Sequence, residues 1–225
     1  TLLVFDVYVT LIDTHGVVVK LQDFIGNKAE EFSHVWREKQ LEYSFRRGLM
    51  RTYETFGVCT SQALDYTNAY LGMELTAEQK AELLVEYRNL PAFNDVKESL
   101  EGLKAAGHAL YAFSNGTSDA VEGLLAAAGI LDLFDGVVSV DDQQTFKPNP
   151  DVYEHLLNAT AASARDTWLI SCNPFDVIGA ISAGMKSAWV RRSPEAIFDP
   201  WGIEPTITVN NLLELDKKIK PVGEH

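Results

Sequence analysis

The sequence predicts an α/β protein with a doubly wound parallel sheet at its core and a helical cap domain inserted after the first strand. Three observations predict it. The chain opens on a short apolar run, Leu2-Leu3-Val4-Phe5, that stops at a single carboxylate, Asp6. Residues 14–91 then carry helical patterning, and from Val96 strand and helix alternate to Val209. Strands that alternate with helices are joined by right-handed crossovers, which makes the sheet parallel. The expected division is a Rossmann-like core from 1–13 and 92–225, with the cap at 14–91.

Each element has its own signal. The first strand is β-branched and aromatic around its end. At 29–43, Ala29, Phe32, Val35, Trp36 and Tyr43 recur at helical spacing among charged residues, an amphipathic helix. Thr60 or Ser61 is the expected cap of a second helix, and Thr76-Ala77-Glu78-Gln79 reads as a capping box opening a third. Pro91 closes the block. A helix at 98–106 ends at Gly107, and a buried strand at 108–113 runs into Ser114-Asn115-Gly116. There follow a helix at 118–128, strands at 136–140 and 167–170, a helix at 174–183, and strands at 187–190 and 206–209. Residues 221–225 read as a loose tail.

Composition excludes several function classes. At 225 residues the chain can bury one sizeable α/β core. Its net charge of -13 argues against nucleic acid or an anionic membrane as partner, since both call for a basic footprint. An anionic substrate would need a local cluster of cations and backbone donors to outweigh that field. Two cysteines, Cys59 and Cys172, form neither a disulfide framework nor a zinc spacing, and read as reduced thiols of a cytoplasmic protein. No apolar stretch reaches the roughly 20 residues that span a bilayer.

The chemistry should gather at one edge. In a parallel sheet the carboxyl ends of the strands share an edge, which collects Asp6, Ser114 with Asn115, Lys147, and the segment from Ser171 to Asp176. Asp6 is the candidate nucleophile. Two residues on stands Tyr8, which cannot readily protonate a leaving group at neutral pH, so the chemistry has a nucleophile and no neighbouring acid. Ser114-Asn115-Gly116 reads either as a simple turn and cap or as an anion site at a helix start. Lys147, between Phe146 and a proline expected to start a helix, would keep Asp6 ionised, and Tyr153 falls in the first turns of that helix. Ser171-Cys172-Asn173-Pro174-Phe175-Asp176 supplies hydroxyl, amide and carboxylate at a strand-to-helix junction, and withholds a carboxylate at Cys172.

Together Asp6-Val7-Tyr8-Val9-Thr10, Ser114-Asn115, Lys147-Pro148 and Asp176 resemble the markers of the haloacid dehalogenase superfamily. More closely, Tyr8, the stretch Trp36-Arg37-Glu38-Lys39-Gln40-Leu41-Glu42-Tyr43, and Ser171 with Asn173 and Asp176 resemble the L-2-haloacid dehalogenases. That resemblance covers nearly the whole chain. It implies that Asp6 attacks the carbon bearing the halogen, forming an aspartyl ester with inversion. Arg37 would accept the halide. Ser114 and the backbone at Asn115 would hold the substrate carboxylate, with Lys147 and Tyr8 near the reacting groups. Thr10, Ser171 and Asn173 would position Asp6, Asp176 with Lys147 would place the hydrolytic water, and Tyr153 would orient Lys147. Leu41, Phe56 and Phe175 would form the apolar pocket. The resemblance implies no metal and no cofactor, partners limited to a small halogenated carboxylate and halide, and a homodimer formed through the cap.

A halide leaves without a proton, which fits Tyr8 where a phosphatase needs an acid. A magnesium-dependent phosphatase of the same superfamily, the alternative enzyme, would want carboxylates at Tyr8 and Cys172. A non-catalytic binding protein that kept the fold should have lost some of the matched polar residues. Two departures stand out. Val9 occupies a position where the family usually has glycine, beside the nucleophile. Glu38 stands where relatives often carry glutamine, an extra carboxylate next to Arg37 that would either weaken halide binding or simply point to solvent.

Overall fold

The computed structural model describes residues 1–219, so the expected tail at 221–225 lies outside the described residues. Six parallel strands form one sheet: β1 (Leu2–Phe5), β2 (Ala109–Ser114), β3 (Gly136–Ser139), β4 (Thr167–Ser171), β5 (Lys186–Val190) and β6 (Ile207–Val209), in the spatial order β3-β2-β1-β4-β5-β6. β1 therefore lies between β2 and β4, where the strand order reverses. Phe5 pairs with Ala112 on one side and Ile170 on the other. Because open α/β sheets bind ligands at such a reversal, beyond the carboxyl ends of the strands, the residues after Phe5, Phe113 and Ile170 are where a site belongs.

Strand pleating divides the core. Leu3 and Phe5 enter one buried cluster, while Val4 enters the other with Phe113, Tyr153 and Leu169. Both faces of β1 are thus covered, which is why its sequence is uniformly apolar rather than alternating.

Between β1 and β2 the chain forms α1 (His15–Ile25), α2 (Ala29–Met50), α3 (Phe56–Tyr70), α4 (Ala77–Glu86) and α5 (Val96–Ala105). The sequence reading did not resolve α1 and ended α2 seven residues early. The expected cap at Thr60 or Ser61 is wrong. Thr55 caps α3, with its Oγ1 accepting from Val58 N at 3.4 Å, whereas Thr60 is buried in the helix and donates to Phe56 O, four residues back, at 2.9 Å. Threonine satisfies both roles equally well, so residue type alone could not choose between them. The capping box at Thr76 forms with both of its hydrogen bonds: Gln79 N donates to Thr76 Oγ1 at 3.1 Å and Thr76 N to Gln79 Oε1 at 2.9 Å.

The remaining helices, α6 (Ser118–Ala127), α7 (Pro150–Ala159), α8 (Pro174–Ser182) and the short α9 (Leu215–Lys218), complete the layers. Pro148 does not start α7. Pro150 is its first residue and Asn149 caps it, its Oδ1 accepting from Asp151 N at 2.9 Å. No helix among the described residues is long and apolar enough to cross a membrane.

Candidate active site

Asp6 is the first residue past β1 and is almost fully buried, at 7% exposure. A carboxylate in that position needs donors, and four side chains supply them. Oδ2 accepts from Asn173 Nδ2 at 2.8 Å, Thr10 Oγ1 at 2.9 Å and Ser171 Oγ at 3.1 Å. Oδ1 accepts from Lys147 Nζ at 3.1 Å. One oxygen is held by three donors and the other by one, so Oδ1 keeps the freer lone pairs.

Lys147 is fully enclosed, and its ammonium uses all three protons: on Asp6 Oδ1, on Asp176 Oδ2 at 2.8 Å and on Phe113 O at 2.9 Å. Burial by itself favours the neutral amine, but Asp176 and Asp6 outweigh it and hold the lysine above its ordinary value. Burial pushes the Asp176 carboxyl upward, against the attraction of Lys147. The main chain of Lys147 is fixed as well, its N donating to Asn115 Oδ1 at 3.0 Å. Tyr153 touches Asp176, not Lys147: its hydroxyl donates to Asp176 Oδ1 at 2.8 Å. Any orienting of Lys147 by Tyr153 therefore passes through Asp176, whose other oxygen the lysine holds. Asp176 is fully buried with both oxygens engaged.

A small cavity of about 20 Å³ opens on these groups, lined by Asp6, Tyr8, Arg37, Leu41, Phe56, Ser114, Asn115, Lys147, Asn173 and Phe175. Thr10, Tyr153, Ser171 and Asp176 stand behind it as the support of Asp6 and Lys147. All the residues that the sequence singles out thus converge on one place. Ser114 Oγ accepts from Gly116 N at 3.1 Å, and Thr117 begins α6 without a side-chain cap bond. Tyr8 packs between Phe56 and Tyr87, with ring centres 6.2 and 5.5 Å away. Burial, then Tyr87, drives its hydroxyl well above the usual phenol range, so it stays protonated at any physiological pH. At Cys172, a half-buried residue, the thiol is pushed up to about 12, first by desolvation and then by Asp6.

Arg37 comes from α2 and reaches across to the sheet edge, where Nη2 lies 3.4 Å from Asn173 Oδ1. Its Nη1 donates to Gln40 Oε1 at 2.8 Å. Gln40 is buried and donates in turn to Thr60 Oγ1 at 2.7 Å. This relay from α3 through Gln40 aims the guanidinium, and sequence reasoning gave Gln40 no role, although its place three residues after Arg37 on one helix face was the available signal. Of the two outcomes open for Glu38, the structure gives the one that points to solvent. Its side chain is 68% exposed and lies 3.5 Å from His34, because the neighbouring position on a helix points away from the buried face. Val9 adopts a left-handed conformation, φ 65°, the backbone that glycine would take without strain. Among the described residues, no three His, Cys, Asp or Glu side chains cluster as metal donors.

The fold and this site define an α/β protein that gathers a buried carboxylate, a buried lysine and a guanidinium in one cavity at the carboxyl edge of its sheet. Residues 3–190 match the family model described as haloacid dehalogenase-like hydrolase. The (S)-2-haloacid dehalogenase of Pseudomonas sp. (strain YL) is 35% identical over 208 residues, covering 92% of this chain and 89% of that protein. Haloacetate dehalogenase H-2 of Moraxella sp. (strain B) is 34% identical over 205 residues, covering 91% of each. The structure of the L-2-haloacid dehalogenase from Xanthobacter autotrophicus with chloropropionic acid covalently bound superposes with a TM-score of 0.88 at 32% identity, over 95% of both chains. The chain belongs to the haloacid dehalogenase-like hydrolases.

Proposed function

We propose that this protein is a hydrolytic dehalogenase that converts small L-2-haloalkanoic acids to D-2-hydroxyalkanoic acids and halide, with inversion. The observation that carries this is the single cavity in which Asp6 Oδ1, Arg37, Ser114, Asn115 and Lys147 meet, with Tyr8 where an acid would otherwise stand. The relatives named above, dehalogenases of 2-haloacids and haloacetate, support the same chemistry.

Asp6 Oδ1 attacks C2 of the substrate in line, an ester bond forms, and the carbon–halogen bond breaks with its electron pair leaving on the halide. The halide is a weak base and takes no proton, so a neutral Tyr8 suffices. Arg37 offers a weakly hydrated cation with several donors to the departing ion. Ser114, whose Oγ already accepts from Gly116 N, donates its own proton to the substrate carboxylate together with the backbone at Asn115. Water then adds to Cγ of the Asp6 ester, and the acyl–oxygen bond breaks. One water proton ends on the hydroxy acid, the other is released, and the Asp6 carboxylate is restored. Lys147, held by Asp176, whose other oxygen Tyr153 fixes, stabilises the charge on the ester oxygen and places the water. Thr10, Ser171 and Asn173 keep Oδ2 fixed throughout. No cofactor or metal enters these steps.

Leu41, Phe56 and Phe175 wall the cavity with bulky side chains, which supports small acids of two or three carbons as substrates. Residues 14–91 act in this reading as the cap over a core of 1–13 and 92–225, since the cap delivers Arg37, Leu41 and Phe56 to the sheet edge. A homodimer through the cap is supported by apolar side chains left exposed on α2 and α3, Leu49, Met50 and Tyr70. The free thiols Cys59 and Cys172 support a reducing, cytoplasmic location.

The test is halide release from the separate enantiomers of 2-chloropropionate in EDTA, beside a phosphate ester with magnesium. The expected result is halide and D-lactate from the L enantiomer alone. Phosphate release without halide would replace this assignment by a phosphatase. Asp6→Asn is expected to lose halide release while staying folded, with deamidation back to aspartate as the control.

A further inference from the structure

We propose that Arg192 is a positioning residue for the nucleophile, acting through the main chain of Thr10, a role that rests on Asp6 being the nucleophile. Arg192 lies two residues beyond β5 and does not line the cavity. Its Nε and Nη2 both donate to Thr10 O, at 3.2 and 2.6 Å. Its Nη1 donates to both oxygens of Asp95 at 2.8 Å, and the guanidinium lies 4.2 Å over the ring of Phe93. Asp95 is fixed in turn by Leu212 N, at 2.7 Å. The fork and the planar group are both used, which a lysine could not reproduce.

What the fork holds is the residue that holds Asp6. Thr10 Oγ1 donates to Asp6 Oδ2 and accepts from Cys172 N at 2.9 Å. The residue before it, Val9, sits at φ 65°, a conformation that a β-branched side chain resists and that needs outside contacts to persist. Arg192 supplies one such contact. A second comes from the returning chain, where Phe93 N donates to Leu11 O at 2.9 Å. The adjacent carbonyls of Thr10 and Leu11 are thus each tied to the segment 91–95, the point where the chain re-enters the core. Arg192 and Asp95 together lock the nucleophile loop in its left-handed turn and keep the Thr10 hydroxyl on Asp6.

The experiment compares wild type, Arg192→Lys, Asp95→Asn, and Arg192→Lys combined with Val9→Gly, all checked for a folded state at the assay temperature. Two readouts are taken: steady-state halide release from L-2-chloropropionate, and hydrogen exchange of the Leu11 and Ile12 amides, which donate to Val7 O at 2.9 and 3.1 Å. The expected result is a kcat reduced about 10- to 100-fold with little change in KM, faster exchange at those amides, and partial recovery of kcat when Val9→Gly removes the strain. Unchanged exchange and kcat in Arg192→Lys would overturn the clamp, as would a kcat loss that Val9→Gly leaves untouched. A wild type that releases no halide would instead overturn the dehalogenase assignment, while the exchange data would still decide the clamp.

Discussion

Lys147 Nζ lies 3.1 Å from Asp6 Oδ1 and 2.8 Å from Asp176 Oδ2, one buried cation between two buried carboxylates. Its partners come from the ends of β1 and the start of α8, so the contact joins the two strands that flank the reversal in strand order. A lysine so placed is structural and chemical at once.

Lys147→Met is expected to abolish turnover and to cost about 3–5 kcal/mol of stability, because it leaves two enclosed carboxylates without their cation. The pH sense follows from the raised lysine value in the folded state. Its contribution is fully present below the unfolded value of about 10.4 and is lost as pH rises through the higher folded value. Urea unfolding of wild type and variant should therefore differ by a constant amount from neutral pH to that point and converge above it. A gap that shrinks already between pH 7 and 9 would contradict this.

Cys172 is next to the site but should be chemically silent. With its thiol pushed up to about 12, roughly one molecule in 10⁴ carries the thiolate at pH 8. Iodoacetamide at that pH is expected to leave both Cys172 and activity intact. Rapid labelling, read by peptide mass spectrometry, would show that the thiol is not held neutral.

Val9→Gly should stabilise the protein. The left-handed turn costs an L-residue about 1–2 kcal/mol, and glycine gives back about 0.5–1 kcal/mol through the freedom of the unfolded chain. The net gain is up to about 1.5 kcal/mol, and each 1 kcal/mol corresponds to a rise of roughly 2–4 °C in Tm at this size. Calorimetry reads it directly, and a lower Tm would mean that Val9 is not strained.

Gly179 makes room for Tyr153. A Cβ there would fall 2.7 Å from Cε2 and Cζ of the tyrosine ring, so Gly179→Ala is expected to lose about 1–3 kcal/mol and to push the hydroxyl off Asp176. Tyr153→Phe removes the same hydrogen bond without the clash. Both variants should lose kcat, and only Gly179→Ala should show the overpacking loss in Tm.

Much of this was legible in the sequence because the sheet edge reads simply. An apolar run ending in Asp6, a strand running into Ser114-Asn115, and Ser171 at a strand-to-helix junction each announce a carboxyl end, and parallel topology brings such ends together. Arg37, Leu41 and Phe56 were reachable only by resemblance, since nothing in an amphipathic helix says which sheet edge it overhangs. Gln40 and Arg192 escaped for a related reason. Each acts on a neighbour's geometry through a three-dimensional contact: the spacing of Gln40 from Arg37 hinted at one, whereas an isolated arginine carries no signal of it. Glu38 stayed open between two outcomes because adjacency in sequence is not adjacency on a helix.

The central claim is that an oxygen of Asp6, not of water, ends on the hydroxy acid. With enzyme in excess over L-2-chloropropionate in H₂¹⁸O, a single turnover is expected to yield unlabelled D-lactate and to leave ¹⁸O in the peptide containing Asp6. Labelled lactate in the first turnover, with no label in that peptide, would mean that water attacks the carbon directly and that Asp6 is not the nucleophile.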